Sequence, residues 1–217
     1  MDEKAILGIL HDVGAIITNT HVVFTSGRHS NTYVNKDALY MHPTRTAQLC
    51  QIMASKYDAD QVDVVAGPTI GGVILSQWVA YHLSASRLSG ETLSIYVEKE
   101  GERTEKTFIV ERGYDIKVPN KNIVVVEDVL MTGGSAAKVI ETLRALGGNV
   151  LGLSALCNRG KVTPAAVGGV PIHALTNLAF ESWEEEQCPL CASKVPINTN
   201  VGKGKQFLAG SRAKAAS

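Results

Sequence analysis

The chain has 217 residues, of which 45% are hydrophobic and 19% charged, and its 21 basic side chains balance 21 acidic ones. That length suits one well-cored domain with an appendage, and the zero net charge removes the global electrostatic case for binding nucleic acid or an anionic membrane. No apolar run approaches the roughly 18 residues that span a bilayer, four cysteines do not suggest a disulfide framework, and Met1-Asp2-Glu3-Lys4 lacks the basic flank and apolar core of a secretory leader; a cytoplasmic enzyme is the expectation.

Residues 2–12 read as a short helix carrying Ile6, Leu7, Ile9 and Leu10, ended by Gly14. His21-Val22-Val23-Phe24, the turn Ser26-Gly27-Arg28-His29-Ser30 and Tyr33-Val34 read as a hairpin with a polar tip. Pro43 and Thr44 begin a helix running to about residue 59, with Leu49, Ile52 and Met53 inward. From there the rhythm is strand, loop, helix. Residues 62–66 are an apolar run stopped by Gly67-Pro68-Thr69, and Gly71-Gly72 opens a helix to about residue 82. Residues 93–97 form the next strand, followed by the most charged stretch of the chain, 98–112. Ile123 to Val126 are too few aliphatics for a helix and read as a strand buried on both faces. Glu127 and Asp128 follow, where that strand should emerge from its sheet. Thr132-Gly133-Gly134-Ser135 then opens a helix with Val139, Ile140, Leu143 and Leu146 on one face. A further strand over 150–156 ends at Cys157-Asn158-Arg159-Gly160. Glu184-Glu185-Glu186 reads as a solvated acidic turn, and residues from 203 on, rich in Gly, Ala, Ser and Lys, as a disordered tail.

Alternating strands and helices argue for an α/β protein with a parallel sheet, whose ligands gather at the carboxyl ends of the strands. The loops at 67–72, 98–112 and 127–135 and the Asn158-Arg159 corner all follow strand ends, so they are expected to converge. A small-residue loop at a helix N-terminus presents free backbone N–H groups and the positive end of the helix dipole, the ingredients of a phosphate cradle. Neither a Gly-Lys-Ser/Thr loop nor a three-glycine fingerprint is present. Carboxylates just before such a cradle suggest a ligand that is part polyol and part phosphate. The plain alternative is an ordinary strand–turn–helix with surface acids at the turn.

Residues 123–135 resemble the phosphoribosyl pyrophosphate motif of the type I phosphoribosyltransferases. The resemblance extends over about residues 14–200. It implies a central parallel sheet flanked by helices with a small N-terminal hood, here about 14–40 plus part of the C-terminal segment, in one domain over 1–217. It implies that Glu127 and Asp128 address the ribose hydroxyls, that Thr132, Gly133, Gly134 and Ser135 hold the 5-phosphate, and that Val129, Leu130 and Met131 line the same substrate site, with Met131 at a position that meets the pyrimidine. Thr69, Gly71 and Gly72 would bind pyrophosphate through backbone amides. Lys99 and Arg103 would be cations of a lid that closes over pyrophosphate, often in the neighbouring subunit of a homodimer, with Arg112 sharing the role. Mg²⁺ is implied, held mainly by substrate phosphates, with Asp128 as the candidate side chain.

The hairpin resembles the hood of orotate phosphoribosyltransferases through Ser26, Gly27, Arg28 and the Tyr33-Val34-Asn35-Lys36 run, and Arg159 matches the arginine that pairs with the acceptor's carboxylate. A guanidinium fork suits a planar carboxylate. The implied reaction is orotate plus phosphoribosyl pyrophosphate giving orotidine monophosphate and pyrophosphate. Three positions depart from the pattern: Thr25 where a lysine is common, Glu98 where many members carry arginine, and Met131 where orotate enzymes usually have threonine. They leave open a transferase for a purine or uracil, and a non-catalytic sensor of phosphoribosyl pyrophosphate; such sensors usually carry a DNA-binding module, for which the short N-terminal segment has neither the room nor the charge. Cys188-Pro189-Leu190-Cys191 has the spacing of half a zinc site, with a partner chain as the source of the other half; of the six histidines only His29 falls in a candidate site.

Overall fold

The computed structural model describes residues 1–100, 107–178 and 180–215. In chain order the elements are α1 (Glu3–Asp12), β1 (Ile16–Ile17), β2 (Val22–Val23), β3 (His29–Ser30), β4 (Tyr33–Val34), α2 (Lys36–Tyr40), α3 (Pro43–Ala54), β5 (Val64–Pro68), α4 (Gly71–Ser86), β6 (Leu93–Glu100), β7 (Thr107–Ile109), β8 (Asn122–Leu130), α5 (Gly134–Ala145), β9 (Asn149–Asn158), β10 (Ile172–Thr176), α6 (Pro189–Ala192) and α7 (Gly204–Ala215). They form two compact units: Met1–Leu7 with His42–Leu178, and Gly8–Met41 with Ala179–Ser217.

The first unit is built on a six-stranded sheet in the order β10-β9-β8-β5-β6-β7. Every pairing is parallel except β6 with β7, which is antiparallel. Val64, Val65 and Ala66 in β5 and Ile123 to Val126 in β8 are fully buried, because a central parallel strand has both faces covered and successive side chains go to opposite sides. On one face Val64, Ala66, Ile123, Val125, Leu153 and Ala155 join Val139, Ile140 and Leu143 of α5 in a common core. On the other, α4 packs on β5, β6 and β8, with α3 packed against it in turn.

Two strands run further than their apolar residues suggest. Sequence pattern ends the central strand at Val126, but the ladder of β8 with β9 continues through Glu127↔Ala155, Val129↔Cys157 and Leu130↔Asn158. Backbone pairing therefore keeps both acids inside the sheet. Likewise β6 continues past Val97 to Glu100 because Glu98, Lys99 and Glu100 pair with Ile109, Phe108 and Thr107 of β7. Ladder hydrogen bonds are indifferent to side-chain polarity, so the charged end of β6 stays in the sheet without an apolar signature of its own.

The second unit joins early and late segments of the chain. β2 pairs with β3, and β1 with β4; Tyr33-Val34 therefore has Ile16-Ile17 as its partner rather than the strand at 21–24. The late segment is laced to the hairpin by backbone hydrogen bonds: His29 and Trp183 exchange N–H and C=O at 2.8 and 2.9 Å, Asn198 N–H donates to His21 O at 2.7 Å, and Lys203 N–H to Val23 O at 2.7 Å. Where composition reads as a disordered tail, residues 204–215 are helical in α7. The Phe207 and His29 rings meet in a T-shaped contact with centroids 5.0 Å apart, giving that helix an apolar anchor. Residues 216–217 of the expected tail lie outside the described residues.

Candidate active site

β5 and β8 are neighbours at the centre of the sheet, but the chain leaves them in opposite directions, through α4 to β6 and through α5 to β9. Where successive connections diverge like this, the loops at the carboxyl ends part and leave a crevice. The loops at 67–72 and 131–135 leave from those two strand ends.

The first loop turns so tightly that its glycines touch backbone to backbone. A Cβ on Gly67 would lie 2.4 Å from Gly72 O, and one on Gly72 would lie 2.6 Å from the Gly67 carbonyl carbon. The Thr69–Ile70 peptide is cis, and Thr69 N–H donates to Val97 O at 3.0 Å, tying the loop to β6. Gly71 and Gly72 then open α4, so the loop passes directly into a helix N-terminus, the positive end of the helix dipole.

Glu127 and Asp128 are 9% and 6% exposed. Each turns back toward the following amide: Glu127 accepts from Asp128 N–H at 3.2 Å, and Asp128 Oδ1 from Val129 N–H at 2.7 Å. Buried carboxylates are costly unless hydrogen-bonded, and these bonds hold both side chains at the strand end. Leu130 turns its side chain into the core. Met131 is 45% exposed. Gly133 caps α5 in the left-handed conformation, φ 79°, with Val162 Cγ1 only 2.8 Å from where a Cβ would sit; no other residue meets both demands easily. Thr132 Oγ1 accepts from Gly134 N–H at 3.3 Å. The result is a small-residue loop on a buried strand, feeding the positive end of a helix dipole.

The corner after β9 is locked to the end of β8. Arg159 N–H and Gly160 N–H both donate to Leu130 O at 2.9 Å. The Asn158 side chain closes the turn by donating to Val162 O at 2.9 Å and accepting from Val162 N–H at 2.8 Å. Asn158 is thus a clamp for the corner. Gly160 approaches the backbone of Met131 so closely that a Cβ would fall 1.4 Å from Met131 O. Arg159 Nη1 consequently lies 3.6 Å from Met131 Sδ. Sequence reading treats the acceptor arginine and the departing methionine as separate matters; the fold sets them side by side.

In the β6–β7 ribbon Lys99 is exposed, with Nζ 5.6 Å from the centroid of the Phe108 ring, within the range of a cation–π contact. Arg112 Nε is 2.5 Å from Glu98 Oε1. That hydrogen bond, ahead of the charge of Glu98, raises the Arg112 pKa above its ordinary value. The departure at Glu98 therefore has a local purpose in holding Arg112. Arg103 lies outside the described residues.

Ser26, Gly27, Arg28 and Lys36 belong to the second unit. The first three form the β2–β3 turn, where Gly27 has φ 85°. Arg28 pairs with Glu184 and donates to Ser182 Oγ at 3.1 Å, so one glutamate of the apparent acidic turn is an ion-pair partner. Lys36 begins α2. In the same unit Cys188 and Cys191 lie with His21 and His29. No motif marks His21; the legible signal is its place two residues before Val23, which pairs with His29.

The phosphoribosyl transferase domain family matches residues 35–167. The chain is a member of this family. As a phosphoribosyltransferase it is an enzyme of the glycosyltransferase type, and its sheet and flanking helices are the type I fold. Among relatives, it is 35% identical over 199 residues to "Orotate phosphoribosyltransferase" of Thermoanaerobacter sp. (strain X514), covering 91% of this chain and 96% of the relative. It is 34% identical over 196 residues to the protein of the same name from Desulforamulus reducens, covering 90% and 95%. Among solved structures, orotate phosphoribosyltransferase from Aeropyrum pernix superposes with TM-score 0.64 at 27% identity, covering 79% of this chain and 92% of that one. Adenine phosphoribosyltransferase from Thermoanaerobacter pseudethanolicus superposes with TM-score 0.53 at 18% identity over 68% and 88%. Fold alone is therefore shared by proteins named for different bases, and the base this phosphoribosyltransferase uses must be argued from residues and closer relatives.

Proposed function

We propose that this chain transfers the phosphoribosyl group of 5-phosphoribosyl 1-pyrophosphate to orotate, yielding orotidine 5′-monophosphate and pyrophosphate. The observation that carries the reading is Arg159, anchored through its own backbone to the end of β8 beside the 127–135 loop, in a chain about one-third identical over nine-tenths of its length to proteins named orotate phosphoribosyltransferase. A guanidinium at that corner is the group that a base bearing a carboxylate requires.

The chemistry follows from charge. As the bond to pyrophosphate lengthens, the anomeric carbon becomes cationic and pyrophosphate gains negative charge. Glu127 and Asp128 hold the ribose hydroxyls, and the amides of residues 132–135 hold the 5-phosphate, so the sugar is fixed while the bond breaks. The loop at 67–72 offers backbone N–H groups to pyrophosphate, and Lys99 and Arg103 supply positive charge where it develops. Orotate's ring nitrogen is acidic enough to attack once held, so no histidine is needed as a general base. Carboxylate oxygens are the hard ligands that Mg²⁺ takes, and Mg²⁺ is commonly bound by one or two carboxylates plus substrate phosphates; the donor chemistry of Asp128 fits, with Glu127 beside it. Bound there, the ion would neutralise charge on the leaving pyrophosphate. The same reading includes a homodimer, lid cations that serve the neighbouring subunit, and a cytoplasmic location.

The test is pyrophosphate release from phosphoribosyl pyrophosphate and Mg²⁺ with orotate, uracil, adenine, guanine and hypoxanthine in parallel. Release with orotate alone is expected. Release with another base and none with orotate would overturn the acceptor. Lys99→Ala should lose turnover while still binding phosphoribosyl pyrophosphate in calorimetry; retained turnover would remove Lys99 from the mechanism.

A further inference from the structure

The second unit carries a cluster that the transferase chemistry does not use. His21, His29, Cys188 and Cys191 each offer one ligand atom, and these four atoms all lie within 4.8 Å of one another. His21, His29 and Cys188 are buried, with exposures of 2%, 0% and 2%, and all four cysteines of the chain are free thiols.

Two local geometries bring the ligands together. In the β2–β3 ladder Val23 faces His29, so His21, two residues earlier and on the same side of the strand, is the diagonal neighbour of His29. Cys188 caps α6 and Cys191 lies in it, and residues three apart share one face of a helical turn. The late segment is stitched to the hairpin by the exchanged His29–Trp183 bonds and by Asn198 N–H on His21 O, which fixes one pair over the other.

The distances are those of a tetrahedron. With Zn–S near 2.3 Å and Zn–N near 2.0–2.1 Å, a tetrahedral site has sulfur–nitrogen edges of about 3.6 Å. Here Cys188 Sγ to His21 Nε2 is 3.6 Å, Cys191 Sγ to His21 Nε2 is 3.7 Å, and Cys191 Sγ to His29 Nδ1 is 3.4 Å. The His21 Nε2–His29 Nδ1 edge is 2.8 Å, about half an ångström shorter than two Zn–N bonds require, a gap that small ring rotations close. The His21 tautomer is already set: Nδ1 lies 2.7 Å from Val195 O, a carbonyl that only accepts, so Nδ1 carries the proton and Nε2 presents its lone pair to the cluster. A second ring nitrogen bonded to a backbone carbonyl is the usual support of a metal-ligating histidine.

We propose that His21, His29, Cys188 and Cys191 form a structural zinc site completed within one chain. Two sulfurs and two imidazole nitrogens at tetrahedral spacing select Zn²⁺ over harder cations, and four protein ligands leave no position open for a substrate. Binding releases both thiol protons to solvent; two thiolates, two neutral imidazoles and Zn²⁺ make an electrically neutral centre, suited to burial. The ion fastens the hairpin at 21–30 to the segment at 188–191, across a long span of chain. This site is independent of which base the transferase uses.

The experiment measures metal in the full chain, purified under reducing conditions from zinc-supplied cells, by mass spectrometry after gel filtration. About one zinc per chain is expected, and none in the Cys188→Ser, Cys191→Ser double variant. Because that variant can misfold, unmodified protein is also stripped with chelator and refilled with Co²⁺. Thiolate-to-cobalt charge-transfer absorption with intense tetrahedral d–d bands is expected, lost again when Zn²⁺ is added back. Zinc retained in full by a folded double variant, a Co²⁺ spectrum without thiolate bands, or iron in place of zinc in the purified protein would each overturn the assignment.

Discussion

Gly160→Ala tests the corner that holds Arg159 and Met131 together. A Cβ at position 160 would sit 1.4 Å from Met131 O, against ordinary carbon–oxygen contacts of about 3.3–3.6 Å, so the corner must retreat by roughly 2 Å. That retreat breaks or stretches the two 2.9 Å hydrogen bonds that Arg159 and Gly160 donate to Leu130 O. Each is worth about 1 kcal/mol net, and the displaced packing adds roughly 1–3 kcal/mol, for a loss of about 3–5 kcal/mol. In a chain of this size each kcal/mol lowers Tm by roughly 2–4 °C, so a fall of about 6–20 °C is expected in calorimetry. Displacing a positioning group by an ångström costs on the order of 100-fold in rate; below the lowered Tm the variant should lose at least that in kcat/KM for orotate, while Kd for phosphoribosyl pyrophosphate changes little. A variant with wild-type Tm and orotate kinetics would refute the argument that this glycine sets the corner.

Arg159→Lys retains the charge but loses the fork, and a charge-assisted hydrogen bond is worth about 1.5–3 kcal/mol; KM for orotate should rise roughly 10- to 100-fold in steady-state assays. Glu98→Gln removes the partner of Arg112, whose side chain is 61% exposed; a pair this open to solvent is screened and adds little to stability, so the midpoint of urea unfolding should stay at the wild-type value. Burial pushes the Cys50 thiol up to about 12 from an ordinary 9.0. The folded chain therefore keeps a proton that the unfolded chain loses, and this contribution to stability is present below pH 9 and fades as the pH rises above it. Cys50 should escape iodoacetamide at pH 8 in folded protein and react fully in urea, as mass spectrometry of the peptides would show.

Much of the first unit is legible in the sequence because its strands are buried on both faces. Ile123 to Val126 declare a central strand by composition alone, and the glycines at 67–72 and 132–135 mark the two loops that backbone geometry then requires to be glycine-rich. Strand ends are less legible. Glu127, Asp128, Lys99 and Glu100 are held in ladders by hydrogen bonds that carry no side-chain signature. The corner at Arg159 is visible as an arginine after a strand, but its closeness to Met131 depends on the register of β8 against β9, which no local pattern encodes. His21 was missed for a related reason: strands two residues long have too little periodicity to assign a face, so the diagonal with His29 and the meeting with Cys188 and Cys191 emerge only from tertiary contacts. The tail is less legible because composition registers polarity and small side chains, while residues 204–215 are helical and Phe207 packs on His29.

The division of the chain has a consequence for its synthesis. The sheet of the first unit lies within one uninterrupted stretch, His42–Leu178, whereas the second unit needs both Gly8–Met41 and Ala179–Ser217. A ribosome adding about 5–20 residues per second takes roughly 7–30 s to travel from position 41 to position 179. Through that interval the early hairpin has emerged without the strand-like partner at Trp183 and without the thiols that face its histidines. Sheet assembly can begin meanwhile, since none of its strands waits for the chain's end. The hairpin is the part of this protein that a chaperone has longest to meet.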